Sequence, residues 1–215
     1  MSYPAQYEVR PEPGRRRRNG GSTRDRLLEI ATAHISTSGF NKMSIASVAR
    51  DAGVSQSGLL HHFPSKAALL VAVLEQRERE DNLFLFGDGE VPLGWDAFDA
   101  LVALSARNAT RAEMVRLFVR ISAEATDPDH PAHGWLDRHY QGLRAWLADA
   151  ISHGIAEGTM RQELPVSQTI ATSIAVLDGL QQQWVQDPDS VSMTSSVRGY
   201  VRGLKTLWGL GPASL

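Results

Sequence analysis

The chain has 215 residues, 42% hydrophobic and 21% charged, the balance of an ordinary globular protein long enough to bury a core. It contains no cysteine, which excludes disulfides and thiolate chemistry, and no apolar run reaches the roughly 18 to 20 residues needed to cross a bilayer. Net charge is only −2, but residues 1–66 hold ten Lys+Arg against five Asp+Glu while residues 67–215 hold twelve against nineteen, so a polyanion partner is expected for the basic head alone.

Residues 1–21 carry three prolines, three glycines and the run Arg15, Arg16, Arg17, Arg18, with almost nothing apolar. Such a segment cannot repay its ordering entropy and reads as a disordered basic arm. It has no apolar core of the signal-peptide kind, so a cytoplasmic protein is expected. Ser22 with Asp25 three residues later is a capping-box signal, and Leu27, Leu28, Ala31 and Ile35 form one face of a helix that Gly39 ends. Ser44 starts a second helix with Ile45, Val48, Ala49 and Ala52 inward, ended by Gly53. A third runs from about Ser55 to His62, and Pro64-Ser65 breaks the chain before a fourth with Leu69, Leu70, Val73 and Leu74 buried.

After Asn82, Gly87, Gly89, Pro92 and Gly94 mark a loop. Helical spacing then resumes over about 95–108, 110–125 and 132–157, with Asp127-Pro128-Asp129-His130-Pro131 as a loop between the last two. Two amphipathic helices follow, about 165–186 and 190–209. No segment alternates with period two for long enough to compete as a strand. The fold class expected is all-α, with about nine helices. The expected organisation is a disordered arm at 1–21, a three-helix helix-turn-helix domain at 22–66, a connecting helix at 67–82 and a larger helical domain at 83–215.

The stretch from Ser44 to Lys66 carries the chemistry. Ile45, Val48, Ala49, Val54, Leu59 and Phe63 are spaced to pack two short helices on the first, leaving Ser44, Ser47, Ser55, Gln56, Ser57, Gly58 and His61 outward. Small hydroxyls and free amides at a helix N-terminus suit phosphate oxygens. Gln56 can pair with a base edge, favouring adenine, and Gly58 lets the helix backbone approach closely. The competing reading is a plain three-helix core with solvated serines. The Arg15–Arg18 run fits an arm that follows the phosphate backbone or enters a minor groove, against a merely solvated tail.

From Thr23 to Leu74 the chain resembles the DNA-binding domain of the TetR family of bacterial transcriptional regulators. The resemblance rests on Leu28, Ala31 and Gly39-Phe40, on Ser44-Ile45-Ala46-Ser47-Val48-Ala49 with Ala52-Gly53-Val54-Ser55, and on Leu59, His61-His62-Phe63-Pro64-Ser65-Lys66 and Leu69-Leu70. It implies that Ser44 and its amide hold a phosphate, and that Ser55, Gln56, Ser57 and Gly58 face the groove. It further implies that His61 and His62 lie near the backbone and that Lys66 holds a phosphate from the start of the fourth helix. Leu60 departs from the pattern, standing where the family usually has a tyrosine that contacts phosphate.

The same resemblance implies a ligand pocket between C-terminal helices. Trp95, Met114, Phe118, Trp135, Tyr140, Trp146 and Trp184 would supply its walls, and His139, Asp178 and Gln181 would orient a small, largely apolar effector; the alternative for each is core packing. The long apolar stripe of the last helices suggests a homodimer, with Trp184, Tyr200, Leu204 and Trp208 at its interface, as a palindromic double-stranded operator requires. His130, His133 and His139 with Asp127, Asp129 and Asp137 lack a visible complete ligand shell, so no metal and no cofactor is expected. No nucleophile elbow, phosphate loop or HExxH motif points to an enzyme. The function expected is a homodimeric repressor released from its operator by a small molecule, the alternative being a ligand-independent activator or architectural DNA binder.

Overall fold

The computed structural model describes residues 22–87 and 89–210. Within them the chain is all-α: α1 (Thr23–Ser38), α2 (Ile45–Asp51), α3 (Gln56–His62), α4 (Lys66–Phe86), α5 (Trp95–Ala109), α6 (Ala112–Glu124), α7 (His133–Ala156), α8 (Val166–Gln186) and α9 (Met193–Trp208). The nine-helix expectation therefore holds for the described residues, where extended pairing is limited to one isolated bridge between Met160 and Gly209. The fourth helix runs four residues past its expected end, to Phe86. The loop composition begins at Gly87, whose φ of 52° is what finally stops it.

The chain forms two compact units. The first holds the described residues up to Asn82 together with Arg116–Asp137. Its helices begin where the sequence signals them. Ser22 accepts from the Asp25 amide while the Asp25 carboxylate accepts from the Ser22 amide, a complete capping box. Leu27, Leu28, Ala31 and Ile35 of α1, Val48 of α2, Leu59 of α3 and Leu69, Leu70 and Leu74 of α4 are almost wholly buried. Ile45, expected inward, is only half-buried, because it sits in the first turn of a seven-residue helix.

Arg116–Asp137 joins this unit rather than the remainder of the C-terminal half through three specific contacts. Arg77, 5% exposed, lays its guanidinium 4.2 Å from the Phe118 ring centroid and pairs with Asp81 at 3.6 Å. Phe40 meets the His130 ring edge-on at 5.4 Å, and His130 in turn lies 3.6 Å from the Glu124 carboxylate. Gly39 closes α1 at φ 83°, and a Cβ there would come to 3.0 Å from Glu124 Oε1. These partners are far apart in sequence, which is why periodicity alone leaves the segment with its neighbours in the chain.

The second unit holds Leu83–Val115 and the residues from Arg138 onward. Its centre is Trp146, 2% exposed, whose indole N–H donates to the Pro92 carbonyl at 2.9 Å and whose ring meets Phe86 edge-on at 5.4 Å. Helix α9 packs on α5 and α8 through Met193, Val197, Val201 and Leu204. Gly154 allows α7 to pass against Met160, whose Sδ would be 2.7 Å from a Cβ at that position. Among the described residues no single helix is long and apolar enough to cross a membrane. The bent pair α3 and α4, at 56°, meets that criterion jointly, but Leu59, Leu69, Leu70, Val73 and Leu74 are buried in the first unit.

Candidate nucleic-acid interface

Two seven-residue helices could not persist alone, since helix nucleation is unfavourable at that length. Side-chain caps and a shared core hold them. Ser44, extended at φ −119° and ψ 144°, caps α2 by accepting from the Ser47 amide. Ser55, extended at φ −71° and ψ 155°, caps α3 by accepting from the Gly58 amide at 3.0 Å. The turn between them rests on Gly53 at φ 67°, where the Val54 amide reaches the Ala49 carbonyl at 3.0 Å. A left-handed residue at that point favours glycine and fixes the angle between the helices.

With the apolar sides buried, Ser44, Ser55, Gln56, Ser57, His61 and His62 are exposed, and Ser47 and Gly58 are half-exposed. Ser55 and Ser57 share a hydroxyl–hydroxyl hydrogen bond of 3.0 Å at the N-terminus of α3. At Gly58 a Cβ would stand 3.2 Å from the capping Ser55 hydroxyl. His61 and His62 meet edge-on at 5.8 Å at the helix end, and Leu60 is 37% exposed beside them. Lys66 is half-buried; its Nζ donates to the Asn41 carbonyl at 3.0 Å and lies 4.5 Å from the Phe40 centroid. That leaves it anchored at the start of α4 with further protons to offer. Together these groups form one polar edge, rich in hydroxyls and amide N–H groups, suited to phosphate oxygens and base edges. Arg15, Arg16, Arg17 and Arg18 lie outside the described residues.

One element of this edge has no periodic signal in the sequence. His34 of α1 places Nε2 2.8 Å from Asp51 at the end of α2, and Nδ1 3.5 Å from the Ser47 hydroxyl in its first turn. Asp51 also accepts from Arg50 Nε at 3.1 Å. The His34 hydrogen bond first, and then Arg50, hold the Asp51 carboxyl below its ordinary value of 3.8. A pair seventeen residues apart is visible only once α1 and α2 pack.

The residues expected to line a ligand pocket fall into both units. Phe118 and Trp135 belong to the first, with rings edge-on at 6.5 Å. In the second, the Tyr140 hydroxyl donates to Asp178 at 2.7 Å, His139 meets Tyr140 edge-on at 5.5 Å, and Arg144 lies over the Tyr140 ring. Gln181, one turn beyond Asp178, keeps a buried Oε1 without a hydrogen-bond partner. Met114 is half-buried. Trp146 is fully engaged in the core, and Trp95 donates its indole N–H to the Thr159 carbonyl at 3.0 Å. Of the expected interface residues, Trp184, Tyr200 and Trp208 are half-exposed, whereas Leu204 is buried within the chain. The Tyr200 hydroxyl bonds Ser173 at 2.9 Å, and burial raises its ionisation above the ordinary value despite that bond. Leu207, at 65% exposure, is the most exposed large apolar side chain of α9.

Among the described residues no three His, Cys, Asp or Glu side chains gather as a metal site. His130 is turned to Glu124, and His133 Nδ1 is 2.9 Å from the Ala125 carbonyl, so the histidines near Asp127 serve the packing of that loop.

Comparison with known proteins agrees with the geometry. A family profile described as "Bacterial regulatory proteins, tetR family" matches residues 27–73, the span from α1 into α4. The probable HTH-type transcriptional regulator ArpR of Pseudomonas putida is 27% identical over 201 residues, covering 89% of this chain and 93% of its own length. The HTH-type transcriptional regulator TtgR, also of Pseudomonas putida, is 26% identical over the same shares. In fold, the chain superposes on the solved SmeT–triclosan complex with a TM-score of 0.77 at 12% identity, over 91% of this chain and 95% of that one. A capped helix–glycine turn–helix with a polar outer edge, a family profile over those residues and relatives similar along most of the chain converge: residues 27–73 are a DNA-binding domain of the TetR-family type, in a chain similar overall to HTH-type transcriptional regulators.

Proposed function

We propose that this protein is a homodimeric, cytoplasmic transcriptional repressor that reads a palindromic operator with α3 and leaves it when a small, largely apolar effector binds. The observation that carries the DNA reading is the edge formed by Ser44, Ser55, Gln56 and Ser57, where capped helix starts present hydroxyls outward while Val48, Ala49 and Leu59 are buried behind them. Ser44 and Lys66 hold phosphates, Gln56 meets a base edge, and His61 and His62 flank the backbone. Arg15–Arg18 add contacts that carry no sequence preference.

Effector response is supported by the polar group on α7 and α8 of the second unit, where Tyr140 and Asp178 are paired and Gln181 offers a buried, unpartnered acceptor. An effector with an apolar body and one hydroxyl or N–H donor fits that set. The likeness to a fold solved with triclosan makes that compound a reasonable first probe. Exposed Leu207 with half-exposed Trp184 and Trp208 supports a two-fold contact through the last helices. Effector binding favours a state in which the two recognition helices no longer match successive grooves.

The test is a mobility-shift titration with duplexes selected from a random-sequence library, repeated with triclosan and related apolar phenols. Binding to a palindrome with half-sites about one helical turn apart, weakened by an effector, is the expected result. An effector bound equally well with and without operator would contradict the coupling, since linkage is reciprocal.

A further inference from the structure

Helix α3 turns Leu59, 0% exposed, into the core, and Phe63 just past the helix end follows it at 3%. Gln56, Ser57, His61 and His62 are exposed and polar. Leu60 is exposed as well, at 37%, and it is the only large apolar side chain of α3 outside the core. Residues four apart in an α-helix stand one above the other. Leu60 therefore continues the face that Gln56 begins, with Ser57, three positions back, as its other neighbour on that side.

The chemistry of a leucine narrows what this face can meet. Its side chain has no proton to give and no lone pair, so phosphate oxygens and the N–H, N and O groups of base edges offer it nothing. In the major groove of B-DNA the apolar group that projects is the 5-methyl of thymine. Contact between that methyl and the leucine methyls removes both from water, which is the gain open to an apolar side chain on a groove-facing edge. Gln56, one turn earlier, has the complementary capacity, since its amide can pair with the polar edge of adenine.

We propose that Leu60 is a specificity-determining residue of the operator interface, and that it selects thymine by packing against the 5-methyl group. The inference deepens the DNA-binding reading of α3 and rests on it. Each half-site then holds a thymine that is read through its methyl group and not through its hydrogen-bonding edge.

Deoxyuridine isolates the methyl, because it pairs with adenine as thymidine does and lacks only that group. Duplexes are selected from a random-sequence library with the full wild-type chain. Each thymine of the half-site is then replaced by deoxyuridine, in both half-sites at once. Fluorescence anisotropy reads the affinity of wild type, of Leu60→Ala and Leu60→Asn, which remove the apolar reach, and of Leu60→Met, which keeps it. Thermal melts without DNA establish that each variant is folded. At one thymine, wild type is expected to lose about 4-fold in affinity per half-site, or roughly 15-fold for the symmetric duplex. Leu60→Ala and Leu60→Asn should bind the thymine and deoxyuridine duplexes within about 2-fold of each other, and Leu60→Met should keep most of the wild-type loss. Any change in duplex stiffness from the missing methyl is common to all four proteins and cancels in the comparison. Selected half-sites without thymine, no loss in wild type at any thymine, or an equal loss in wild type and Leu60→Ala would each overturn this proposal alone. Failure of wild type to bind any duplex overturns it together with the DNA reading.

Discussion

Ser55 separates folding from recognition, because the same hydroxyl caps α3 and stands at the proposed groove-facing edge. Replacing it with aspartate keeps an excellent N-cap: a carboxylate can accept from the Gly58 amide, now 3.0 Å from Oγ, and from the Ser57 hydroxyl, also at 3.0 Å. Its charge is favourable at a helix N-terminus. Thermal stability should therefore stay within a degree or two of wild type or rise. Replacing it with alanine removes the cap, costing about 1 kcal/mol, or roughly 2–4 °C in a domain of this size. DNA affinity should follow a different order. A carboxylate about 5 Å from one phosphate is repelled by ~0.8 kcal/mol at the dielectric of water and ~3 kcal/mol at an effective dielectric of 20. A symmetric dimer experiences this twice, so Ser55→Asp should bind a selected duplex at least roughly 15-fold more weakly than wild type. At that distance 0.1 M salt screens little, because the Debye length is about 10 Å. Melting curves and fluorescence anisotropy on the same preparations read the two effects. Wild-type affinity in Ser55→Asp would place the start of α3 away from DNA and refute the proposed interface.

Other consequences follow from the same geometry. Deleting residues 1–18 should lower the slope of log affinity against log salt by about 0.9 for each phosphate the arm had neutralised, and an unchanged slope would remove the arm from the interface. Trp146→Phe leaves the Pro92 carbonyl without its donor and opens a small cavity beside Phe86, so it should cost about 2–4 kcal/mol and roughly 4–16 °C in a thermal melt. Leu207→Glu should weaken dimerisation by roughly 100-fold or more if that exposed leucine is buried in both copies, read by light scattering across a dilution series. Asp51 has its native ionisation lowered by His34 and Arg50, so its stabilising contribution is fully present above the ordinary carboxylate value of 3.8 and is lost as pH falls through the native value. The melting temperature of Asp51→Asn should therefore fall less steeply below about pH 4 than that of wild type.

The helices and their caps were legible in the sequence because they are set by local chemistry. Ser22 with Asp25, Ser44, Ser55, Gly39 and Gly53 act within a few residues of themselves, and the 3.6-residue spacing of Leu27, Leu28, Ala31 and Ile35 needs no tertiary knowledge. The outward hydroxyls of the interface followed by subtraction once the apolar face was assigned. What stayed hidden depends on partners distant in sequence. Arg77 reads as an exposed helical arginine until Phe118 supplies its ring, and His130 reads as one of a loose histidine set until Phe40 and Glu124 enclose it. Trp146 reads as a pocket residue and Leu204 as an interface residue, each with core packing as the alternative, and only the structure shows both buried within the chain. His34 gave no signal at all, since a histidine in mid-helix acquires meaning only from what α2 brings to it.

The proposed interface is an edge that stays folded while it awaits a ligand. Ser44 and Ser55 each accept from a backbone amide, and each shares a hydrogen bond with a neighbouring serine, Ser47 and Ser57 respectively. A hydroxyl has one proton and two lone pairs, so a cap uses only a lone pair and leaves the proton free to turn. Encounter with a phosphate thus requires rotation of a proton, not loss of the cap, and the short helices stay intact through binding.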